Sequence, residues 1–148
     1  MKRTIALVLL IAIATAVPAL AASSEAIQVI SVAMEQLGAP YELQSDAPNS
    51  FNCLTFVIYC VNQVAPGKLS EKGIDGDYSI VKSVKKLKAG DIVCFKSSNK
   101  LKGILGFHFG LYAGKGYFIH AANWDEGVTV SKVNKYKKRF VGAIRVFG

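Results

Sequence analysis

The chain has 148 residues, 51% of them hydrophobic, and a net charge of +8. That is enough apolar material for one core and favours a single domain over two. The Lys-rich stretches SVKKLKAG and SKVNKYKKRF carry no nucleic-acid-binding motif, so they read as solvated faces, with anionic envelope polymers rather than nucleic acid as the partner the charge would suit.

The N-terminal MKRTIALVLLIAIATAVPALAA has the three parts of a secretory signal peptide. Lys2 and Arg3 supply the positive region, Ile5 to Val17 the apolar region, and Ala19-Leu20-Ala21 the small-residue cleavage pattern. The alternative is an uncleaved anchor, for which Thr4 to Ala22 is barely long enough. We expect a leader over 1–21, a single domain over 22–148, and secretion or release to the periplasm. Loss of Lys2 and Arg3 lowers the charge from +8 to +6. No cysteine follows the cleavage site, so lipid anchoring there is not expected.

The first half of the mature chain reads as helical. In SSEAIQVISVAMEQLGAP, Ile27, Ile30, Met34 and Leu37 recur at helical spacing, with serines before and Gly38-Ala39-Pro40 after. YELQSDAPNSFN is a polar loop. CLTFVIYCVNQV is apolar around most of its circumference and predicts a central buried helix, stopped by Pro66-Gly67. IVKSVKKL reads as a short helix.

The second half reads as strands: DIVCF, FHFGLYA, YFIHAA, VTVSKV and RFVGAIRVF, separated by turn residues. Helices first and strands after predict an α+β domain with an antiparallel sheet of about five strands. If Gly114-Lys115-Gly116 is a three-residue hairpin loop, His108 faces Ala122 and His120 faces Gly110. The two histidines then share one face, roughly 7–8 Å apart at the backbone. A two-residue turn would shift that register.

His108 and His120 are the only histidines, and Cys53 heads the buried helix. Unpaired N–H groups and the helix dipole stabilise a thiolate there, a nearby imidazole lowers its pKa further, and a second polar group fixes the imidazole's tautomer. The backbone N–H groups of the first turn could also hold an oxyanion. Three cysteines cannot all pair within one exported chain, which points to a reactive thiol or an intermolecular bridge. The plainer reading is packing: cysteine is a small hydrophobe and a strand histidine is usually a satisfied core residue. Packing is our reading for Cys60 and Cys94, with a Cys60–Cys94 disulfide as the alternative. No C-x-x-C or H-x-x-x-H spacing is present, so we expect neither metal nor cofactor.

Five segments in order resemble the NlpC-type (NlpC/p-sixty) cell-wall cysteine peptidases, which have a papain-like fold. QLGAPY resembles that family's Gly-x-Pro-Tyr segment, and NCLTFVIYCV its Asp-Cys-Ser-Gly-Phe-Val helix. LKAGDIVCF resembles its Gly-Asp-Leu-Val-Phe-Phe strand, HFGLYAGKGYFIHAA its His-Val-Gly-Ile-Tyr and Ile-His-Ala strands, and VTVSKV with RFVGAIRV its closing strands. The resemblance implies a papain-like α+β fold, N-terminal helices on a C-terminal sheet. It makes Cys53 the nucleophile, His108 the base, His120 the residue that orients it, and Tyr41 part of the substrate groove. Asn52 and Leu54 stand where the family has the aspartate and serine that help grip the substrate's free amine. The resemblance implies an exported cysteine amidase acting on peptidoglycan peptides. The departures favour two rivals: an acyltransferase or hydrolase acting on lipid or protein, and a binding module that has lost turnover. Trp124 and Asp125 read as packing and loop-capping residues, with the groove as their alternative place.

Overall fold

Residues 22–148 are described by the structure, a computed structural model; the leader read over 1–21 lies outside them. Helix α1 (Ser24–Glu35) starts at Ser23, whose hydroxyl accepts the N–H of Ala26 at 3.2 Å. The face it buries is not the large-residue stripe expected above. Ala26, Val29 and Ala33 are buried, whereas Ile27, Met34 and Leu37 are exposed. Close approach is the reason. A Cβ on Gly90 would lie 2.8 Å from the Cβ of Ala26, so the Ala89-Gly90 turn leaves room only for alanine.

Helix α2 (Cys53–Val64) is the central buried helix expected, and it ends before Pro66-Gly67. Asn52 caps it. Its Oδ1 accepts from the N–H groups of Leu54 (3.0 Å) and Thr55 (2.9 Å), and the Thr55 hydroxyl accepts the Asn52 N–H in return (3.0 Å). The helix buries Cys53, Phe56, Val57, Cys60 and Val61. A short hairpin of β1 (Leu69–Ser70) and β2 (Gly73–Ile74) follows.

The remaining strands are β3 (Ser79–Val81), β4 (Ile92–Lys96), β5 (Phe107–Gly114), β6 (Tyr117–Ala121), β7 (Val128–Lys132) and β8 (Phe140–Arg145). They form one antiparallel sheet in the order β3-β8-β4-β5-β6-β7, six strands rather than about five. The sixth is β3, in the segment read as a short helix. Only three residues pair there with β8, and the chain then makes a 3-10 turn over Val84–Lys86. So short an edge strand gives no periodic signal.

The sheet has a core on each face. Phe56, Val57, Leu111 and Ile119 pack between α1, α2 and the sheet. Val93, Phe95, Leu101, Phe118 and Tyr136 pack on the other side. Each fully buried large side chain contributes roughly 1.5–3 kcal/mol relative to exposure. Strand alternation therefore sends Ile119 and Ala121 toward the helices, and Phe118 and His120 to the opposite face.

The hairpin register is the one expected, reached by another route. Leu111 pairs with Ile119 and Tyr112 with Phe118, which puts His120 opposite Gly110. The turn itself is the two residues Lys115-Gly116, both with positive φ (53° and 84°), as a type I′ turn requires. A bulge between Tyr112 and Gly114 absorbs the missing residue.

Candidate active site

Cys53 is the first residue of α2 and is fully buried. Its Sγ lies 3.9 Å from the carbonyl of Phe107, at the start of β5. Backbone groups of Phe109, Ile104, Leu54 and Cys53 itself are turned to the sulfur and favour thiolate. Burial outweighs them and pushes the thiol up from its ordinary value. This reverses the expectation drawn from the helix terminus alone. Cys60 and Cys94 are free thiols, also pushed up by burial, Cys94 to about 11.

His108 and His120 meet. Nε2 of His108 and Nδ1 of His120 are 2.7 Å apart, with the rings edge to face at 4.9 Å between centroids. Gly110 makes the space. A Cβ there would lie 2.8 Å from Cδ2 of Phe118 and 3.1 Å from Cβ of His120. Both histidines are fully buried. Desolvation holds His108 down at about 4, and His120 well below its usual value.

No hydrogen bond joins Cys53 and His108 among the described residues; Nδ1 of His108 instead donates to the carbonyl of Lys102 at 2.7 Å. Lys102 belongs to the strap over 97–106 that links β4 to β5. Leu101 pins the strap by full burial beside Phe95 and Phe118. Further bonds hold it: Ser97 N–H to Gly106 O (2.9 Å), Lys102 N–H to Ala122 O (2.9 Å), and Asn123 Nδ2 to Lys100 O (3.0 Å). One strap residue, Ile104, thus sits at the sulfur while another, Lys102, occupies the imidazole.

Tyr41 is 3% exposed and packs edge-on against Trp124, 5.0 Å between centroids. Its hydroxyl is buried without a partner among the described residues, and burial, then the charge of Cys53, push it up to about 12. It therefore lies near Cys53. Asn52 is spent on the fold: beyond the cap, its Nδ2 donates to Leu43 O at 3.0 Å. Leu54 lines a groove of about 580 Å³ with Ile104, Phe107 and Phe109, walled further on by Ile80 and Ile144. Asp125 is a loop residue whose N–H donates to Asn123 Oδ1, and Trp124 packs on Tyr41 under Lys102 Nζ.

Ser131 was not singled out from the sequence. Its Oγ is 2.9 Å from Nε2 of His120. It sits opposite Phe118 in the β6–β7 pairing, on the face that carries His120. The alternation in VTVSKV held that signal, but only with the register known. Among the described residues no group of three or more His, Cys, Asp or Glu could hold a metal ion.

The family model for the NlpC/P60 family matches residues 38–145. The probable peptidoglycan endopeptidase LytE of Bacillus subtilis is 31% identical over 121 residues, which is 80% of this chain and 34% of LytE. The gamma-DL-glutamyl hydrolase of the same species is 33% identical over 125 residues, 82% of this chain and 29% of that protein. The chain thus spans about a third of the length of these relatives. Among solved structures, the NlpC/p60 domain of the peptidoglycan hydrolase SagA superposes with a TM-score of 0.62 at 25% identity, covering 82% of this chain and 98% of that one.

Proposed function

Because the chain belongs to the NlpC/P60 family, we propose that it is an exported cysteine amidase or peptidase that cleaves amide bonds in peptidoglycan peptides. The relatives named as peptidoglycan endopeptidase and peptidoglycan hydrolase support the substrate class. One observation carries the chemistry. Cys53 heads a capped helix with backbone groups converging on its sulfur, next to a strand whose His108 is bonded to His120.

In this reading the strap withdraws and His108 takes the thiol proton. The Cys53 sulfur then attacks the amide carbonyl, and N–H groups of the first turn of α2 receive the oxyanion. His108 returns the proton to the leaving amine, and water, activated by the same imidazole, releases the acyl group. His120 holds the far nitrogen of His108, and Tyr41 borders the bound peptide.

The apolar groove beside Leu54 favours a second reading, in which the acyl group comes from a lipid or an apolar peptide. A hydroxyl has given way to a branched alkyl next to the nucleophile, and Asn52 is fully engaged, so an ammonium has no carboxylate to meet there.

Digestion of purified muropeptides by the wild-type protein and by Cys53→Ala tests both readings. We expect cleavage that Cys53→Ala abolishes. Equal cleavage by the two proteins would falsify the nucleophile. Inert muropeptides beside cleaved acyl esters would select the second reading, and no turnover of either would leave a binding module on this fold.

A further inference from the structure

Lys102, His108, His120 and Ser131 form one unbroken chain of hydrogen bonds, with links of 2.7, 2.7 and 2.9 Å. A single group fixes every proton in it. The Lys102 carbonyl can only accept, so Nδ1 of His108 carries its proton. A neutral imidazole then offers Nε2 as acceptor, so Nδ1 of His120 must donate to it. Nε2 of His120 is left as an acceptor, and the Ser131 hydroxyl donates. With the strap closed, both histidines are Nδ1–H tautomers, and the Nδ1 of His108 offers no lone pair to a thiol.

The reverse arrangement satisfies the same groups once the strap carbonyl leaves. A serine hydroxyl accepts as readily as it donates. His120 can then give Nε2–H to Ser131, and His108 can give Nε2–H to His120, which frees Nδ1 of His108. We propose that Ser131 is a positioning residue: by turning its hydroxyl from donor to acceptor it switches both histidines from the blocked tautomer to the one that can receive the Cys53 proton. The proposal rests on the reading of Cys53 and His108 as nucleophile and base.

The protons balance along the chain. One leaves Nδ1 of His108 for water as the strap lifts. The proton on Nδ1 of His120 passes to Nε2 of His108, the Ser131 proton passes to Nε2 of His120, and water returns one to Ser131. Ser131 suits that last step because it is part-exposed, while both histidines have no exposure. The charge bearing on His120 from the neighbouring 3-10 turn (Val133–Arg139) is that of Lys135, which disfavours imidazolium and so keeps the exchange between neutral tautomers.

Long-range ¹H–¹⁵N correlation spectra of the histidine-labelled protein test this without any substrate. In the wild type both rings are expected as Nδ1–H tautomers. Ser131→Asp, which supplies an acceptor and no donor, is expected to draw the His120 proton to Nε2 and so to compete with the Lys102 carbonyl, raising the Nε2–H fraction of both rings and speeding iodoacetamide alkylation of Cys53. Ser131→Thr is expected to keep the wild-type pattern. Ser131→Ala is expected to lower kcat about tenfold with KM little changed. Nε2–H at His108 in the wild type overturns the proposal, as do unchanged tautomers in Ser131→Asp. Should that variant not fold, Leu101→Ala, which loosens the strap, must raise the Nε2–H fraction, and failure to do so overturns it equally. Muropeptide cleavage that survives Cys53→Ala would sink the functional reading and leave the tautomer assignment standing.

Discussion

Nδ1 of His108 donates to the backbone carbonyl of Lys102 at 2.7 Å, on the nitrogen that the proposed mechanism needs for Cys53. The histidine is therefore oriented and occupied, and its desolvation favours the neutral ring. The sulfur, buried under Ile104 and Phe107, is held as a thiol. The ten-residue strap over 97–106 thus reaches both groups, with Lys102 on the imidazole and Ile104 at the sulfur.

Loosening the strap should expose the thiol. Leu101 is its fully buried anchor, and a buried Leu→Ala change costs about 2–5 kcal/mol. We expect alkylation of Cys53 by iodoacetamide at pH 7 to be slow in the wild type and about tenfold or more faster in Leu101→Ala. Cys60, buried in the main core, is the internal control and should stay protected. An unchanged rate at Cys53 would show that the strap does not limit access.

Acid should destabilise the fold before most carboxylates titrate. His108 is held at about 4 by desolvation, against 6.5 when unfolded. Between those values the unfolded chain binds more protons, so stability is complete above about pH 6.5 and falls as pH drops toward 4. The loss is of order 3 kcal/mol, with His120 acting in the same direction. Urea unfolding across this range should show the slope, and His108→Gln should flatten it.

Gly110→Ala should act on the histidine pair directly. The new methyl meets Phe118 at 2.8 Å and His120 at 3.1 Å. We expect about 1–3 kcal/mol of destabilisation from overpacking. Loss of the His108–His120 bond should appear in the histidine ¹⁵N shifts, and turnover should fall further than stability alone explains. Wild-type histidine shifts in this variant would mean the strand moves instead of the ring.

Asn52 separates its structural duty from any role in gripping substrate. Asn52→Ala removes the cap and should cost about 1 kcal/mol by urea titration. Asn52→Asp keeps the cap but sets a carboxylate oxygen against Leu43 O in place of a donor, so it should also lose stability in the same titration. If a carboxylate at this place grips the substrate ammonium, Asn52→Asp should lower KM for muropeptides with a free amino terminus and leave blocked ones unaffected.

Local chemistry made much of this protein legible in its sequence. Asn52 before CLTFVIYC announces a capped helix with cysteine at its first position, because capping depends on a few adjacent residues. His108 and His120 flank a glycine turn, and the two-residue period of a strand puts them on one face as long as the pairing keeps the register of a three-residue loop. Here a bulge beside Lys115-Gly116 keeps it. Tertiary structure decided the rest, since it depends on what arrives from far along the chain. Gly90, 64 residues after Ala26, chose the alanine face of α1 over its larger apolar residues. The burial of Cys53, which reverses the sign of its pKa change, needs Ile104 and Phe107 overhead. The partners at either end of the histidine pair are a backbone carbonyl and a serine hydroxyl, and neither leaves a pattern in sequence. The residue types were enough to single out a thiol and two histidines. Only the packing of the strap determines whether they touch.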